Sequence, residues 1–179
     1  MGKIFDKINA EIKEFIDLQK MFFVGTAAEE GRVNVSPKGM DSFRVLGENK
    51  IIWLNLTGSG NETAAHLLKN KRMTIMFCAF EGKPIILRLY GEAKIYHERD
   101  KKFQEYLSSF PTLAGVRQII EMDVDLVQSS CGYAVPLFDY NKERTQLNDW
   151  ALKQGKEKIT AYHLKKNSVS IDGFETKIK

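Results

Sequence analysis

Apolar positions change their spacing several times along this chain, and each change marks an element. Ile4, Ile8, Ile12 and Phe15-Ile16 fall at helical intervals among lysines and acids, which predicts an amphipathic helix over residues 3–20. A β-type run follows from Met21 to Ala28. Residues 29–32 make a hairpin turn in which Gly31 supplies the positive φ. Residues 33–36 alternate as a half-buried strand does, and Pro37 ends that strand or sits at a sheet edge. A second turn over 47–50 feeds a strand over 51–56, a polar glycine-rich loop over 57–61 and a short helix over 62–69. Strands are expected at 73–80 and 85–96, joined by a tight turn, with Gly91 marking a bulge or barrel corner. A helix over 98–109, closed by Pro111, precedes a last strand over 119–127. Residues 142–154 and 158–166 look helical, with Gly155 between them.

Five or six strands joined mostly by hairpins, with helices at both ends, predict a mainly β fold with flanking helices, a small antiparallel barrel. A doubly wound parallel sheet does not fit hairpin connections. No linker or repeat divides the chain. It reads as one domain over 1–179, with a barrel core at about 15–135, the helix at 3–20 and a helical extension over 139–179.

Composition narrows the classes. The 43% hydrophobic and 28% charged content of the 179 residues is that of a globular chain. Lys and Arg number 27 against 23 acids, a net charge of +4, and the basic residues are scattered rather than gathered into the stripe a nucleic-acid binder shows. Cys78 and Cys131 stand far apart, Asp6, Glu11, Glu14 and Asp17 interrupt any signal-like apolar run, and no stretch approaches membrane-helix length. A soluble protein of the reducing cytoplasm is expected, with neither nucleic acid nor membrane as partner. His66, His97 and His163 show no metal-ligand spacing, so no metal site is expected.

One loop carries candidate chemistry. Residues 57–63, Thr-Gly-Ser-Gly-Asn-Glu-Thr, leave a strand and enter a helix whose free N–H groups and dipole face the loop. Glycines permit close backbone approach to an anion, and Thr57, Ser59 and Thr63 add hydroxyls. The same residues also fit a local capping box, Ser59 to Glu62. A second candidate is Lys38, at the exit of the strand ending Ser36-Pro37-Lys38-Gly39, where a neighbouring strand can bring the cation beside the loop. Asp123 and Asp125 share a strand face, Ser129 to Phe138 make an irregular strand exit with a small apolar Cys131, and neither group reads as an acid–base or thiolate centre.

The order of these motifs resembles a known family. Arg32-x-x-x-Ser36-Pro37-Lys38-Gly39, Trp53-Leu54-Asn55-Leu56, Gly58-Ser59-Gly60-Asn61-x-Thr63 and a helix ending Lys69-Asn70-Lys71-Arg72 before Met73-Thr74-Ile75-Met76-Phe77 are similar to the pyridoxamine 5'-phosphate oxidase-like, FMN-binding split-barrel family. The resemblance covers roughly 15–135. It implies a split β-barrel homodimer with FMN held non-covalently in the grooves between subunits. Val35, Ser36, Pro37 and Lys38 would line the flavin ring and reach its phosphate side, with Asn55 and Leu56 beside them. Ser59, Gly60, Asn61 and Thr63 would hold the phosphate, and Lys38 matches the family's FMN-contacting lysine. The vitamin-making members carry an Arg-Lys pair where this chain has Glu62-Thr63, and their C-terminal substrate-gripping pattern is absent. The implied activity is therefore an FMN-dependent oxidoreductase acting on a small molecule the sequence does not name, or a flavin- or haem-binding module without turnover.

Overall fold

The first helix begins where a cap is available. Asn9 has extended backbone angles, and its side-chain oxygen accepts the Ile12 N–H at 2.9 Å, starting α1 (Ala10–Leu18). Ile8, Ile12 and Ile16 lie buried on one side of it. The helix expected over 3–20 thus starts later. Lys3–Phe5 is instead a strand, β1, paired antiparallel with residues 127–129. Ile4, which the helical spacing assigned to the apolar side, is 69% exposed. Two isoleucines four apart do not outweigh a run of backbone groups offered by a neighbouring strand.

The computed structural model describes residues 2–178. Beyond α1 come β2 (Phe22–Thr26), β3 (Asn34–Lys38), β4 (Phe43–Gly47), β5 (Lys50–Leu56), α2 (Glu62–Lys69), β6 (Arg72–Cys78) and β7 (Ile85–His97). Then follow α3 (Lys101–Leu107), β8 (Val116–Cys131) and α4 (Gln146–Lys166). The two helices expected in the C-terminal region meet at a kink, where Gly155 adopts φ 74°. β4 has no counterpart in the sequence expectations: Phe43-Arg44-Val45-Leu46 is short and half-buried.

The strands form one sheet in the order β3-β2-β6-β7-β8-β5-β4, with β1 added to β8, and the pairings are antiparallel. This agrees with the mainly β reading. Four strands separate β2 from β4 in that order, yet Phe22 and Phe43 hold their ring centroids 4.9 Å apart, and Phe43 meets Phe77 at 5.2 Å. The sheet therefore curls on itself and closes around an apolar core that includes Phe22, Trp53, Ile75, Phe77, Leu89 and Met122. The outer side of β5 and β8, through Ile52, Leu54 and Ile119, packs under Phe103 of α3 and Phe110. Every residue from Ile51 to Asn55 is buried as a result.

Curling depends on the long β7–β8 pair. Its register slips between Tyr90, opposite Leu126, and Gly91, opposite Val124, so Asp125 is the extra residue of a bulge at the expected glycine. A β-carbon on Gly91 would lie 2.0 Å from the Asp123 carbonyl oxygen, a backbone atom with no room to retreat. Gly91→Ala should therefore cost about 3 kcal/mol or more in urea unfolding. Gly47→Ala, where nothing lies within 4 Å, should change stability by less than about 0.5 kcal/mol.

Candidate functional site

Curling brings β3 and β5 to either side of an open seam, and a cavity of about 700 Å³ occupies it. That volume suits a small-molecule or cofactor site. On β3 the two-residue alternation turns Asn34, Ser36 and Lys38 inward, with Pro37 reaching the rim. β5 supplies Trp53, Asn55 and Leu56, and the loop before α2 supplies Ser59, Gly60, Asn61 and Thr63. Nine of the ten residues singled out in the sequence thus stand around one space. Val35 does not: it points to the opposite face of β3 and is 66% exposed.

The loop does not form the capping box that Ser59 and Glu62 allow. α2 starts at Asn61 with no side-chain cap, Ser59 is exposed, and both Glu62 carboxylate oxygens accept the Ile171 N–H, at 3.1 and 3.2 Å. The first N–H groups of α2 therefore keep their capacity for another acceptor. Thr63 accepts from Asn34 Nδ2 at 3.2 Å, which leaves its own hydroxyl proton to donate elsewhere.

The charge of the cavity comes partly from a residue outside the sequence expectations. Arg117 is 8% exposed and donates through Nη1 to the Gly60 carbonyl at 2.7 Å and to Asn167 Oδ1 at 2.8 Å. Its Nη2 donates to Asn55 Oδ1 at 3.1 Å, and Asn55 in turn donates to Gln118 Oε1 at 3.0 Å. All these acceptors are neutral, and Arg117 Nε has no partner among the described residues. Burial lowers its pKa to about 10, so it stays charged at neutral pH. Lys38 lies 5.3 Å above the Trp53 ring, and burial, followed by repulsion from Arg117, brings its pKa down to about 8. Lys38 and Arg117, with Lys166 also on the lining and Glu62, the one lining carboxylate among the described residues, bonded to the Ile171 N–H, make a receptacle for an anion.

Arg117 was hard to see because Val116-Arg117-Gln118 looked like the approach to a strand expected at 119. In the structure β8 already begins at Val116. A cation followed directly by Gln-Ile-Ile was the available signal. The tail was also missed as a wall: Lys166, Val169, Ser170 and Ile171 line the cavity. The other candidates stand apart. His66 is 1% exposed, with Nδ1 3.1 Å from Thr26 Oγ1, and so is a core residue rather than a lining one. Asp123 pairs with Lys50 at 3.0 Å and Lys94 at 3.6 Å on the surface. Cys131 is exposed, not packed as a small hydrophobe, and both cysteines are free. Among the described residues no cluster of three metal-binding side chains occurs, and no helix is long and apolar enough to cross a membrane.

A small antiparallel split barrel defines a class of fold, and the comparisons with known proteins share it. The family model for pyridoxamine 5'-phosphate oxidase matches residues 8–131. The pyridoxamine 5'-phosphate oxidase family protein ustO of Aspergillus flavus is 33% identical over 194 residues, spanning 97% of this chain and 77% of that protein. Among solved structures, a Lactobacillus delbrueckii protein named for pyridoxamine 5'-phosphate oxidase superposes with a TM-score of 0.54 at 18% identity, covering 69% of this chain and 94% of the other. HupZ of Group A Streptococcus gives 0.52 at 20% identity, covering 66% and 91%. This chain belongs to the pyridoxamine 5'-phosphate oxidase family, and its fold is a mainly antiparallel split β-barrel with flanking helices.

Beside the cavity, Thr57 Oγ1 donates to the Gly115 carbonyl at 2.7 Å, so it must accept from His163 Nε2 at 2.8 Å, which fixes that ring's tautomer. Burial first, and Arg117 second, lower the His163 pKa to about 4. Between about pH 6.5 and 4 the unfolded chain binds a proton there that the folded chain refuses, so stability falls as pH falls through that window. Thermal unfolding from pH 7 to 4 should show a loss of up to about 2 kcal/mol from this ring, after discounting its partial exposure. His97, also lowered by burial, adds in the same sense, so His163→Gln should flatten part of the slope.

Proposed function

We propose that the seam holds FMN non-covalently and that the protein is a flavin-dependent oxidoreductase acting on a small molecule. The observation that carries this reading is the buried, incompletely bonded guanidinium of Arg117. A buried charge without a counter-ion costs several kcal/mol, and a phosphate supplies the missing charge and acceptors. Ser59, Gly60, Asn61 and Thr63, with the uncapped start of α2, are the groups to hold that phosphate. Lys38 reaches the phosphate from β3, and Ser36, Pro37, Asn55 and Leu56, with Trp53, border the remaining space. Val35 is not among them. Bound FMN supplies two-electron redox chemistry at its ring, and the protein supplies orientation and positive charge. As in the resemblance drawn from the sequence, the functional unit is a homodimer with the seam shared at the subunit interface. The protein is placed in the reducing cytoplasm, where Cys78 and Cys131 remain thiols.

A non-catalytic flavin carrier is the second reading, favoured by a lining whose ionisable groups are Lys38, Glu62, Arg117 and Lys166 and include no histidine or cysteine. For haem, Met40 is the lining side chain among the described residues able to act as an axial ligand, and no imidazole, thiolate or phenolate accompanies it. Anaerobic mixing with NADH or NADPH separates enzyme from carrier: bleaching of the flavin band is expected for the enzyme.

Heat denaturation should release FMN, identified by chromatography, and light scattering should return twice the 20.5 kDa chain mass. Lys38→Ala should weaken FMN by about one to two decades while riboflavin, which lacks the phosphate, changes little. FMN affinity in the native chain should fall as pH rises through about 8, where Lys38 loses its proton. Equal losses for both flavins would remove Lys38 from the phosphate.

A further inference from the structure

Arg117 is held in place by a segment outside the barrel. After α4 the chain forms a small hairpin, in which Ser170 N donates to the Phe174 carbonyl at 2.8 Å and Thr176 N to the Ser168 carbonyl at 2.9 Å. Asn167 stands at its root and is 0% exposed. Its Oδ1 accepts from Arg117, its Nδ2 donates to the Gly58 carbonyl at 3.0 Å, and its backbone oxygen accepts from Asn61 Nδ2 at 3.4 Å. The same oxygen accepts from Thr176 Oγ1 at 2.6 Å, and Thr176 is itself 0% exposed. One residue therefore holds the guanidinium and the Gly58 end of the glycine loop through its side chain, and the Asn61 end through its backbone oxygen.

The rest of the hairpin is pinned at its tip. Ile171 N donates to Glu62, and Asp172 accepts the Arg32 backbone N–H at 2.7 Å and pairs with the Arg32 guanidinium. Arg32 and Ile171 are exposed, the Asp172 side chain is 9% exposed, and a pair with one solvent-facing partner contributes little to holding a segment down. The buried root at Asn167 is where the hold is concentrated.

We propose that residues 167–176 are a clasp for the anion site, with Asn167 a positioning residue that sets Arg117 and residues 58–61 in the geometry that receives a phosphate. The proposal rests on the reading of the seam as a phosphate-bearing cofactor's site. It adds a mutual linkage. Whatever orders Arg117 from the ligand side also favours the docked clasp, and the docked clasp favours the ligand by the same factor. The clasp explains the lining by Ser170 and Ile171, and it gives Glu62 a role as the anchor of Ile171.

The test uses the full chain and its Asn167→Ala variant, titrated with FMN and with riboflavin by fluorescence quenching. FMN affinity should fall about tenfold or more, and riboflavin affinity less than about twofold. In parallel, tryptic cleavage after Lys165 and Lys166 should slow in the native chain when FMN or inorganic phosphate is added, and not with riboflavin. Asp172→Ala, confined to the hairpin tip away from the buried root, should fold normally and give a smaller FMN-selective loss, so a misfolded Asn167→Ala does not end the test. Equal losses for the two flavins, or no loss in either variant, overturn the clasp. A native chain that binds neither flavin overturns the cofactor reading instead. The clasp is then decided by whether inorganic phosphate still protects the segment.

Discussion

The site is organised around a guanidinium that folding has taken out of water without giving it a carboxylate. Arg117 bonds to the carbonyl of the glycine loop, to Asn55 on β5 and to Asn167 beyond α4, so a single side chain joins three segments distant in sequence. Had an aspartate been placed there, the charge would have been spent inside the protein. Neutral acceptors fix its position and leave its field intact. That field is felt by Lys38 and by His163, both pushed toward their neutral forms partly by Arg117. Such an arrangement costs stability in the chain alone, and under the proposed reading a bound phosphate offsets that cost.

The sheet places the cation. β7 and β8 run side by side over thirteen and sixteen residues, and the bulge at Gly91 lets that long ladder bend instead of lying flat. Because the sheet bends, the aromatic residues of β2, β4 and β6 meet inside it, and β3 approaches β5 across the seam. The turn joining β3 to β4 takes Met40 and Asp41 through φ of 62° and 51°, and Ser42 then accepts the Leu54 N–H at 2.8 Å. Two successive residues in the left-handed region are costly. They are tolerated where the chain must leave β3 and turn back along β5 without filling the space between.

Most of this was legible where local chemistry is decisive. Hairpin turns, the bulge glycine and the strand–loop–helix around Thr57 to Thr63 have local signals, and the structure returns them within a few residues. What escaped was non-local. Lys3–Phe5 became a strand because residues 127–129 offer it an edge. Val35 was grouped with Ser36 and Lys38 through the family resemblance, and alternation along β3 turns its side chain to the other face. The role of Glu62 was settled by a residue 109 positions away. Arg117 was visible only as an arginine before an apolar run, since its meaning depends on Asn55 and Asn167.

The substitution of Glu62-Thr63 for the Arg-Lys pair of the vitamin-making members looked like a loss of the charge that holds a phosphate. The structure gives that difference another meaning. Positive charge reaches the same loop from β8, through Arg117 on the Gly60 carbonyl, and from β3, through Lys38. A carboxylate at position 62 is then tolerable because the Ile171 N–H draws it toward the tail. The two changes depend on each other. A chain with Glu62 but without its C-terminal hairpin would leave a carboxylate beside the start of α2, where it would satisfy the helix and compete with any anion. The tail outside the barrel and the altered loop inside it are in this sense one feature, and residues beyond 131, where the family match ends, belong to the site as much as the strands do.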